Sequence, residues 1–416
     1  MQGIMGLLAC LIVSPLGLLY AVSALVTNPG KRWKWLPFLV LSLGLAAYAY
    51  EPTAEIDLSR YFAIAKDSTL MSLPDAIDYF MESRPQDPRT DVYIIESWIL
   101  TKMGIIHMIP MVTAVCVYGI AFYLTADIAG RYNVPEYIPV IILLQFSLLP
   151  YVSIISNVRN IWAFSLVILA VYWDLVCKKH GPIVWFLYIL PLFIHPSAIL
   201  LVAFRFFAGL KQKFLILFFG IAITFPVIID FLYSIRGVFE GFGMLGQGIS
   251  LGLWKIYLYL HDTGETDWAT HVSNSIYMKF NKLFLILLAV MLCLLILRFV
   301  RKYTKTELRT FLNYELLLCI LTISFTWFVV PHYWRFACAY DIALPVIMVP
   351  LLAMKGRRPF WVMAFTYGIL CYIPIGLALQ LWGSQYSTDY VQWIGSFCTT
   401  NVFTILWDMI YGTIIS

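Results

Sequence analysis

Three ionisable residues of this chain stand in otherwise apolar surroundings: Arg159, His195 and Arg335. An ionisable group is costly inside a membrane and commonly marks a functional site. A guanidinium group binds phosphate oxygens through two parallel hydrogen bonds, and an imidazole exchanges protons near neutral pH. These residue types therefore predict binding of an anionic, phosphate-like group beside an acid–base group. For either arginine alone, the alternative is a side chain that extends to the lipid headgroups.

The elements that must position these side chains are membrane helices. Of 416 residues, 61% are hydrophobic and 12% are charged, and the mean hydropathy is +0.83. Because a bilayer-crossing helix needs roughly 20 apolar residues, we predict spans over residues 3–26, 35–50, 106–127, 136–155, 159–177, 183–193 with 196–208, 214–233, 280–297, 313–331, 336–354, 359–382 and 396–415. The predicted fold is an all-α polytopic membrane protein, with a single integral membrane domain over residues 1–416 and about 11–13 transmembrane or half-spanning helices.

Lysine and arginine residues concentrate in short clusters between these spans, and such clusters stay on the inner side of the membrane. The clusters are 31–34, Arg131, 178–179, 205–213, 298–309 and 355–358. They indicate membrane topology rather than nucleic-acid binding. All of them lie inside only if 183–208 enters the membrane and returns, so we predict a re-entrant helical hairpin with His195 at its outward-facing apex. A tilted full span with a hydrogen-bonded histidine is the alternative.

Two sizeable outer segments remain. Residues 51–105 place apolar side chains at helical spacing among polar ones, which predicts amphipathic helices along the membrane surface. Residues 234–279 are rich in glycine and aromatic residues and predict an outer loop, either a mobile lid over a long polar substrate or an interfacial aromatic belt. Asp75 and Asp78, one helical turn apart, come nearest to a divalent-metal site, although a solvated helix face is the favoured interpretation.

Four short stretches, taken in order, resemble the motifs of one family. They are Asp57-Leu58-Ser59-Arg60-Tyr61, Asn157-Val158-Arg159-Asn160-Ile161-Trp162-Ala163, Phe193-Ile194-His195-Pro196-Ser197-Ala198, and Arg335 with Tyr340. The set resembles the Wzy-type, EpsG-like repeat-unit polymerases of bacterial surface polysaccharides, namely O-antigen, capsule and exopolysaccharide. This chain departs from that family at Asn160, where glutamine is common, and in a looser match of the first motif.

The resemblance implies a metal-independent, cofactor-independent glycosyltransferase of the bacterial cytoplasmic membrane, with its active site facing the periplasm or the outside. Its architecture would be similar to that of C-type (GT-C) glycosyltransferases and O-antigen ligases. The donor would be a growing glycan on undecaprenyl diphosphate, and the acceptor would be a lipid-linked repeat unit. Besides membrane lipid, a chain-length regulator and a repeat-unit flippase are implied partners.

The resemblance also implies roles for individual residues. Arg159 and Arg335 would hold the diphosphate and offset its developing charge. His195 would be the general base for the acceptor hydroxyl; if it instead hydrogen-bonds the diphosphate, Asp57 is the base. The residues predicted to bind donor or acceptor are Arg60, Tyr61, Tyr333 and Tyr340.

Alternatives stay open at this point. An O-antigen-ligase-like enzyme, or another C-type glycosyltransferase that uses a lipid-phosphate sugar, would share the arginines and the histidine and differ in its acceptor. A polysaccharide transporter or flippase is a non-enzymatic alternative, and a membrane acyltransferase is a further one. For Arg335 itself, Asp341 could serve as a purely structural counter-ion.

Overall fold

The chain is built from helices. The computed structural model describes residues 12–53, 56–83, 91–261, 276–328, 333–354, 359–384 and 388–415, and the regular elements in these ranges are all helical. The first helices are α1 (Ser14–Thr27), α2 (Arg32–Tyr48), α3 (Asp57–Asp67), α4 (Leu73–Ser83), α5 (Asp91–Lys102), α6 (Met108–Tyr132), α7 (Ile138–Leu148), α8 (Tyr151–Ser156) and α9 (Val158–Leu175). The all-α prediction is confirmed for the described residues.

The remaining helices complete the bundle. They are α10 (Pro182–Ile194), α11 (Ala198–Phe207), α12 (Gln212–Ile223), α13 (Phe225–Ser234), α14 (Arg236–Glu240), α15 (Gly243–His261), α16 (Ile276–Leu295), α17 (Arg301–Tyr303), α18 (Arg309–Phe328), α19 (Tyr333–Ala343), α20 (Pro345–Ala353), α21 (Phe360–Ser384), α22 (Tyr390–Thr399) and α23 (Val402–Ile415). Helices α6 and α9 are buried over most of their lengths and lie at the centre. One hydrophobic core connects them with α18 to α20.

Several helical stretches are long and apolar enough to cross a membrane. In the described residues these are Met108–Tyr132, Val158–Leu175, Lys279–Tyr303, Thr306–Trp327 and Phe360–Ser384. Two bent pairs, Leu217–Ile223 with Phe225–Ser234 and Trp334–Ala343 with Pro345–Ala353, raise the number from 5 to 7 if each pair is one span. The chain is therefore a multi-pass membrane protein.

Among the described residues, fewer helices reach spanning length than the sequence predicts, because several predicted spans are broken. Residues 3–11 of the first predicted span lie outside the described residues. The span predicted at 136–155 divides at Pro150, which lacks an amide hydrogen and disfavours helix at the residue before it. The side-chain amide of Gln380 donates from Nε2 to the carbonyls of Phe146, at 2.7 Å, and Ser147, at 2.9 Å. A side chain of a distant helix thus satisfies the carbonyls that the break leaves without helical partners.

Three other predicted spans are bent or divided. Residues 214–233 bend by 64° between α12 and α13, where Pro226 follows the break, and residues 336–354 bend by 42° before Pro345. Residues 396–415 divide into the end of α22 and α23. Proline accounts for the first two changes in direction, because its ring cannot continue the hydrogen-bonding of the preceding turn.

The segment 51–105 forms the short helices α3, α4 and α5. Helices α3 and α4 turn an apolar face to the protein interior, whereas the buried side of α5 includes Ser97 and Thr101. On α3, Leu58, Tyr61 and Phe62 are buried, whereas the side chain of Arg60 is 63% exposed. Amphipathic helices are thus observed here, and their position at a membrane surface stays a prediction. Residues 84–90 lie outside the described residues.

The glycine- and aromatic-rich segment 234–279 is helical where it is described, instead of forming the irregular loop that its glycines suggest. Helices α14 and α15 pack on each other and on α13, and the rings of Tyr233 and Tyr257 stack with centroids 3.8 Å apart. Packing of the aromatic side chains outweighs the low helix propensity of glycine. Residues 262–275 lie outside the described residues, and a lid function stays a prediction.

The segment predicted as a hairpin consists of α10 and α11, with a break at residues 195–197. At one end, the carboxylate of Asp174 lies 3.1 Å from Nδ1 of His180, which precedes α10, and accepts a hydrogen bond from Tyr188 at 3.0 Å. At the other end, the same carboxylate pairs with Nε of Arg205 on α11. A continuous helix would separate residues 180 and 205 by about 38 Å. The chain therefore returns to its starting level.

We expect Asp174→Asn to destabilise this fold-back. The side chain of Asp174 is 9% exposed, and removing one member of a largely buried ion pair leaves the other without its counter-charge. Allowing for the part-exposed arginine, the loss should be about 1–3 kcal/mol of unfolding free energy, seen as a lower melting temperature of the purified protein. Asp78→Asn, on the exposed face of α4, is the matched control, and an equal effect of both variants would contradict this role.

Candidate functional site

Arg159 lies in the first turn of α9, enclosed by aromatic side chains from two other helices. Its guanidinium group donates from Nη2 to the hydroxyl of Tyr61 on α3. The guanidinium carbon lies 4.7 Å from the ring centroid of Tyr61 and 5.5 Å from that of Tyr93 on α5. Arg159 is only 8% exposed, so water screens its charge weakly, and cation–π contacts help to stabilise it.

The first turn of α9 adds to this positive potential. The amide groups at the start of a helix have no helical acceptors, and the helix dipole makes this end partly positive. Asn157 directly precedes α9, after the short helix α8 and its proline break. A helix start and a guanidinium group together form a place where an anion is favoured.

The side chain of Arg335, on α19, lies beside the start of α9. Its Nη2 donates to Oδ1 of Asn157 at 2.8 Å and lies 3.9 Å from Oδ2 of Asp57. Asp57, at the start of α3, also lies 3.7 Å from Nη1 of Arg60. Three of the four motifs therefore meet around Asn157, although 178 residues separate it from Arg335.

The counter-ion of Arg335 is thus Asp57 and not Asp341. On α19 the two positions are separated by about 240° around the helix axis, which places them on different faces. The carboxylate oxygens of Asp341 have no hydrogen-bond partner within the part of the chain that the structure describes. Asp341 is fully buried, as is Glu315 of the neighbouring helix α18. The prediction that Asp341 is the counter-ion of Arg335 is therefore wrong.

His195 ends α10 in an extended conformation, with φ −153° and ψ 123°. Its Nδ1 lies 2.6 Å from the hydroxyl oxygen of Ser197 and accepts from the backbone amide of the same residue at 3.2 Å. An amide can only donate, so Nδ1 is an acceptor and the neutral ring carries its proton at Nε2. In this tautomer Nε2 carries a proton, so it can donate a hydrogen bond but cannot accept a proton as a general base.

His195 and Arg159 lie at similar heights in the bundle. From Asp174, helix α9 rises over about 22 Å to Arg159, and α10 rises over about 20 Å to its end before His195. Helix α10 packs along α9 and also against α5, the helix that carries Tyr93. The break at residues 195–197 is thus on the same side of Asp174 as Arg159.

Other predicted site residues take different places. Tyr61 joins the cluster through its hydroxyl and its ring. Tyr340 does not, because it is fully buried in the core. Tyr333 begins α19, and its side chain lies outside the described residues. Asp75 and Asp78 are exposed on α4.

Sequence reasoning missed Tyr93, which forms the second ring over Arg159. The available signal was helical spacing in 91–102, where Tyr93 and Ile94 turn inward and are buried. It also gave no role to Asn157, although the motif contains it. Its bridging role depends on a long-range contact with no local signature.

The geometry defines a class of site: Arg159 lies in the first turn of α9, and Arg335 donates to the side chain of Asn157, which directly precedes that turn. Such a set of donors suits a ligand that carries several anionic oxygens. No protein family, curated protein or solved structure matches the chain.

We expect Asn157→Ala to weaken binding of an anionic substrate by about tenfold, because a hydrogen bond to a charged group contributes roughly 1.5–3 kcal/mol and part of this is regained from water. The loss of Oδ1 would free Arg335 to turn away from Arg159. The measurement is the KM of the purified protein for the lipid-linked donor that the sequence predicts. Asn28→Ala, which removes only a local contact with Thr27, is the control, and an unchanged KM for Asn157→Ala would contradict the bridging role.

Proposed function

We propose that this protein polymerises undecaprenyl-diphosphate-linked oligosaccharide repeat units into a surface polysaccharide on the outer face of the bacterial cytoplasmic membrane. The observation that carries the proposal is that Arg335 donates to Asn157, which directly precedes the helix that carries Arg159, so that two arginines from distant motifs lie at the start of α9. These residues belong to the motifs that resemble repeat-unit polymerases. A diphosphate is the leaving group that two convergent guanidinium groups match in charge and in geometry.

In the proposed reaction, a sugar hydroxyl of the acceptor attacks the anomeric carbon of the donor glycan. The bond from that carbon to the diphosphate oxygen breaks, and negative charge accumulates on the diphosphate. Arg159 is held in place by Tyr61 and Tyr93, so its donors are oriented before the charge develops. Preorganised donors of this kind stabilise a transition state without the reorganisation that water would need.

The hydrogen bonds of His195 support one of its two proposed roles. With Nδ1 accepting from Ser197, the ring offers a proton at Nε2, which supports hydrogen bonding to the departing diphosphate or to a sugar oxygen. A neutral imidazole has a single acceptor nitrogen, and here that nitrogen faces the backbone amide. We therefore propose that His195 is a hydrogen-bond donor and that another residue is the general base for the acceptor hydroxyl.

Charged residues at the other end of α9 support the proposed orientation. Asp127 pairs with Arg32 at 3.0 Å and with Arg131 at 2.8 Å, while Arg131 also reaches Glu307 at 2.9 Å and the sulfur of Cys177 at 3.6 Å. Basic clusters that are distant in sequence thus gather in one layer. Such a layer suits the cytoplasmic side, because lysine and arginine are retained there.

The fold-back of 183–208 supports the proposal in the same way. Its two ends meet at Asp174, in the layer of basic clusters, and its break with His195 lies about 20 Å away along α10. A re-entrant hairpin open to the outside would place His195 beside the arginine cluster. There it would meet a substrate whose lipid tail lies in the bilayer and whose glycan lies in water.

The test is acceptor-dependent release of undecaprenyl diphosphate by the purified protein in lipid nanodiscs, with no acyl donor and no added metal. Polymerisation gives a ladder of glycans on undecaprenyl diphosphate. Transfer of the glycan to an acceptor other than a second lipid-linked repeat unit would identify a ligase-like enzyme instead. Movement of intact lipid-linked glycan across the membrane without release would identify a transporter.

A further inference from the structure

Glu96 is a carboxylate that the proposed mechanism does not yet use. It lies on α5, one turn after Tyr93, whose ring covers Arg159 at 5.5 Å. The residue is partly exposed, whereas Oε2 is buried and has no hydrogen-bond partner among the described residues. A carboxylate oxygen that is buried and unpaired retains its capacity to accept a proton.

The surroundings of Glu96 favour its protonated form. Within the described ranges, the titratable groups that interact with it are Tyr93 on its own helix and Cys116 on α6. No charged group of α3, α4 or α10, the other helices packed on α5, pairs with its carboxylate in those ranges. Burial raises the pKa of Glu96 to about 7, because removal from water penalises the charged form.

Neither base suggested by the sequence has comparable surroundings. Asp57 lies within 4 Å of two guanidinium groups, at 3.7 Å from Arg60 and 3.9 Å from Arg335. The carboxylate of Asp57 is therefore engaged by two ion pairs, whereas Oε2 of Glu96 has no partner among the described residues. His195 uses Nδ1 to accept from Ser197.

We propose that Glu96 is the general base that removes the proton from the acceptor's sugar hydroxyl, an inference that rests on the proposed function. As the hydroxyl oxygen bonds to the anomeric carbon, its proton moves to the Glu96 carboxylate. The bond between that carbon and the diphosphate oxygen breaks, and its electron pair leaves on the diphosphate, which Arg159 and Arg335 hold. Glu96 then releases the proton to water. A carboxylate that titrates near neutral pH combines basicity with a sizeable ionised fraction.

The inference is tested with Glu96→Gln, which keeps the side-chain shape and removes the proton acceptor. Acceptor-dependent release of undecaprenyl diphosphate should fall by about 10²- to 10⁴-fold, the usual contribution of a general base, while the KM for the donor changes little. Glu82→Gln, on the exposed face of α4, is the matched control and should keep the wild-type rate. Glu96→Asp should restore part of the activity.

A pH profile separates a catalytic role from a structural one. In the wild type, kcat/KM should rise with pH through about 7 as Glu96 ionises, and this rise should vanish in Glu96→Gln. The folded state keeps a proton that the unfolded state releases above its ordinary pKa of 4.5. Ionisation of Glu96 therefore lowers stability as pH rises from 4.5 to about 7, so the glutamine variant should melt no lower than the wild type at pH 8.

The outcomes distinguish the two proposals. If the wild type releases no undecaprenyl diphosphate, the proposed function fails and the role of Glu96 falls with it. If the wild type is active and Glu96→Gln keeps its rate and its pH profile, the role of Glu96 alone is overturned. Loss of the pH-dependent rise in Asp57→Asn but not in Glu96→Gln would assign the base to Asp57.

Discussion

Replacement of Arg159 by lysine should lower polymerisation by about 10²-fold or more, although the positive charge is kept. A guanidinium group is planar and donates in a fixed fork, whereas an ammonium group is a compact point charge. The planar guanidinium group of Arg159 makes two kinds of contact. It lies over the rings of Tyr61 and Tyr93, and it donates to the Tyr61 hydroxyl. Loss of one well-placed donor to developing negative charge typically costs 10²- to 10³-fold in rate.

The measurement for Arg159→Lys is the rate of undecaprenyl diphosphate release at saturating donor, together with the length of the glycan ladder. Arg298→Lys is the matched control, because Arg298 is exposed and belongs to none of the four motifs. Polymerisation near the wild-type rate with lysine at position 159 would show that charge alone suffices. The fork geometry would then have no part in the reaction.

Replacement of His195 by alanine should abolish long-chain glycan while single repeat units persist. The expected loss is about 10²- to 10³-fold, because the Nε2 donor to the reacting oxygens disappears. Glutamine at position 195 should retain more activity than alanine, since its side-chain amide can donate from a place close to that of Nε2. The measurement is glycan ladder length in a host that lacks its own polymerase.

Ser197→Ala serves as the control for the His195 variants. It removes the hydroxyl that lies 2.6 Å from Nδ1 and keeps the backbone amide that donates to the same nitrogen. The ring should therefore hold its orientation, and activity should fall by less than tenfold. Long-chain glycan in the His195→Ala variant would contradict any essential role of the imidazole.

The features predicted well from sequence depend on composition and on local order. Hydropathy predicts helices, and the positions of the basic clusters predict that residues 183–208 turn back. In the structure, residues at both ends of that segment contact Asp174, and its re-entry into the membrane stays a prediction. Hydropathy and the positions of basic residues can both be read from short stretches of sequence. Neither depends on which helices contact each other.

The features predicted poorly depend on contacts between distant residues. Proline at position 150 is visible in the sequence, but the amide of Gln380 that satisfies the broken helix comes from more than 200 residues away. Asn157 gains its role only when Arg335 arrives beside it. The resemblance implies a site role for Tyr340 together with Arg335, yet a rotation along α19 turns Tyr340 into the core.

The apolar side chains beside the break of 183–208 bear on how a substrate arrives. Phe193 is 51% exposed and Ile199 is 59% exposed, one on each side of His195, and Trp185 and Ile189 continue the exposed apolar surface along α10. In a bilayer these side chains contact acyl chains. For a lipid-linked substrate, the carrier tail can stay among those chains while the head reaches the site from the side. Encounter is then a search by lateral diffusion in two dimensions, governed by the surface density of the carrier and not by its concentration in water.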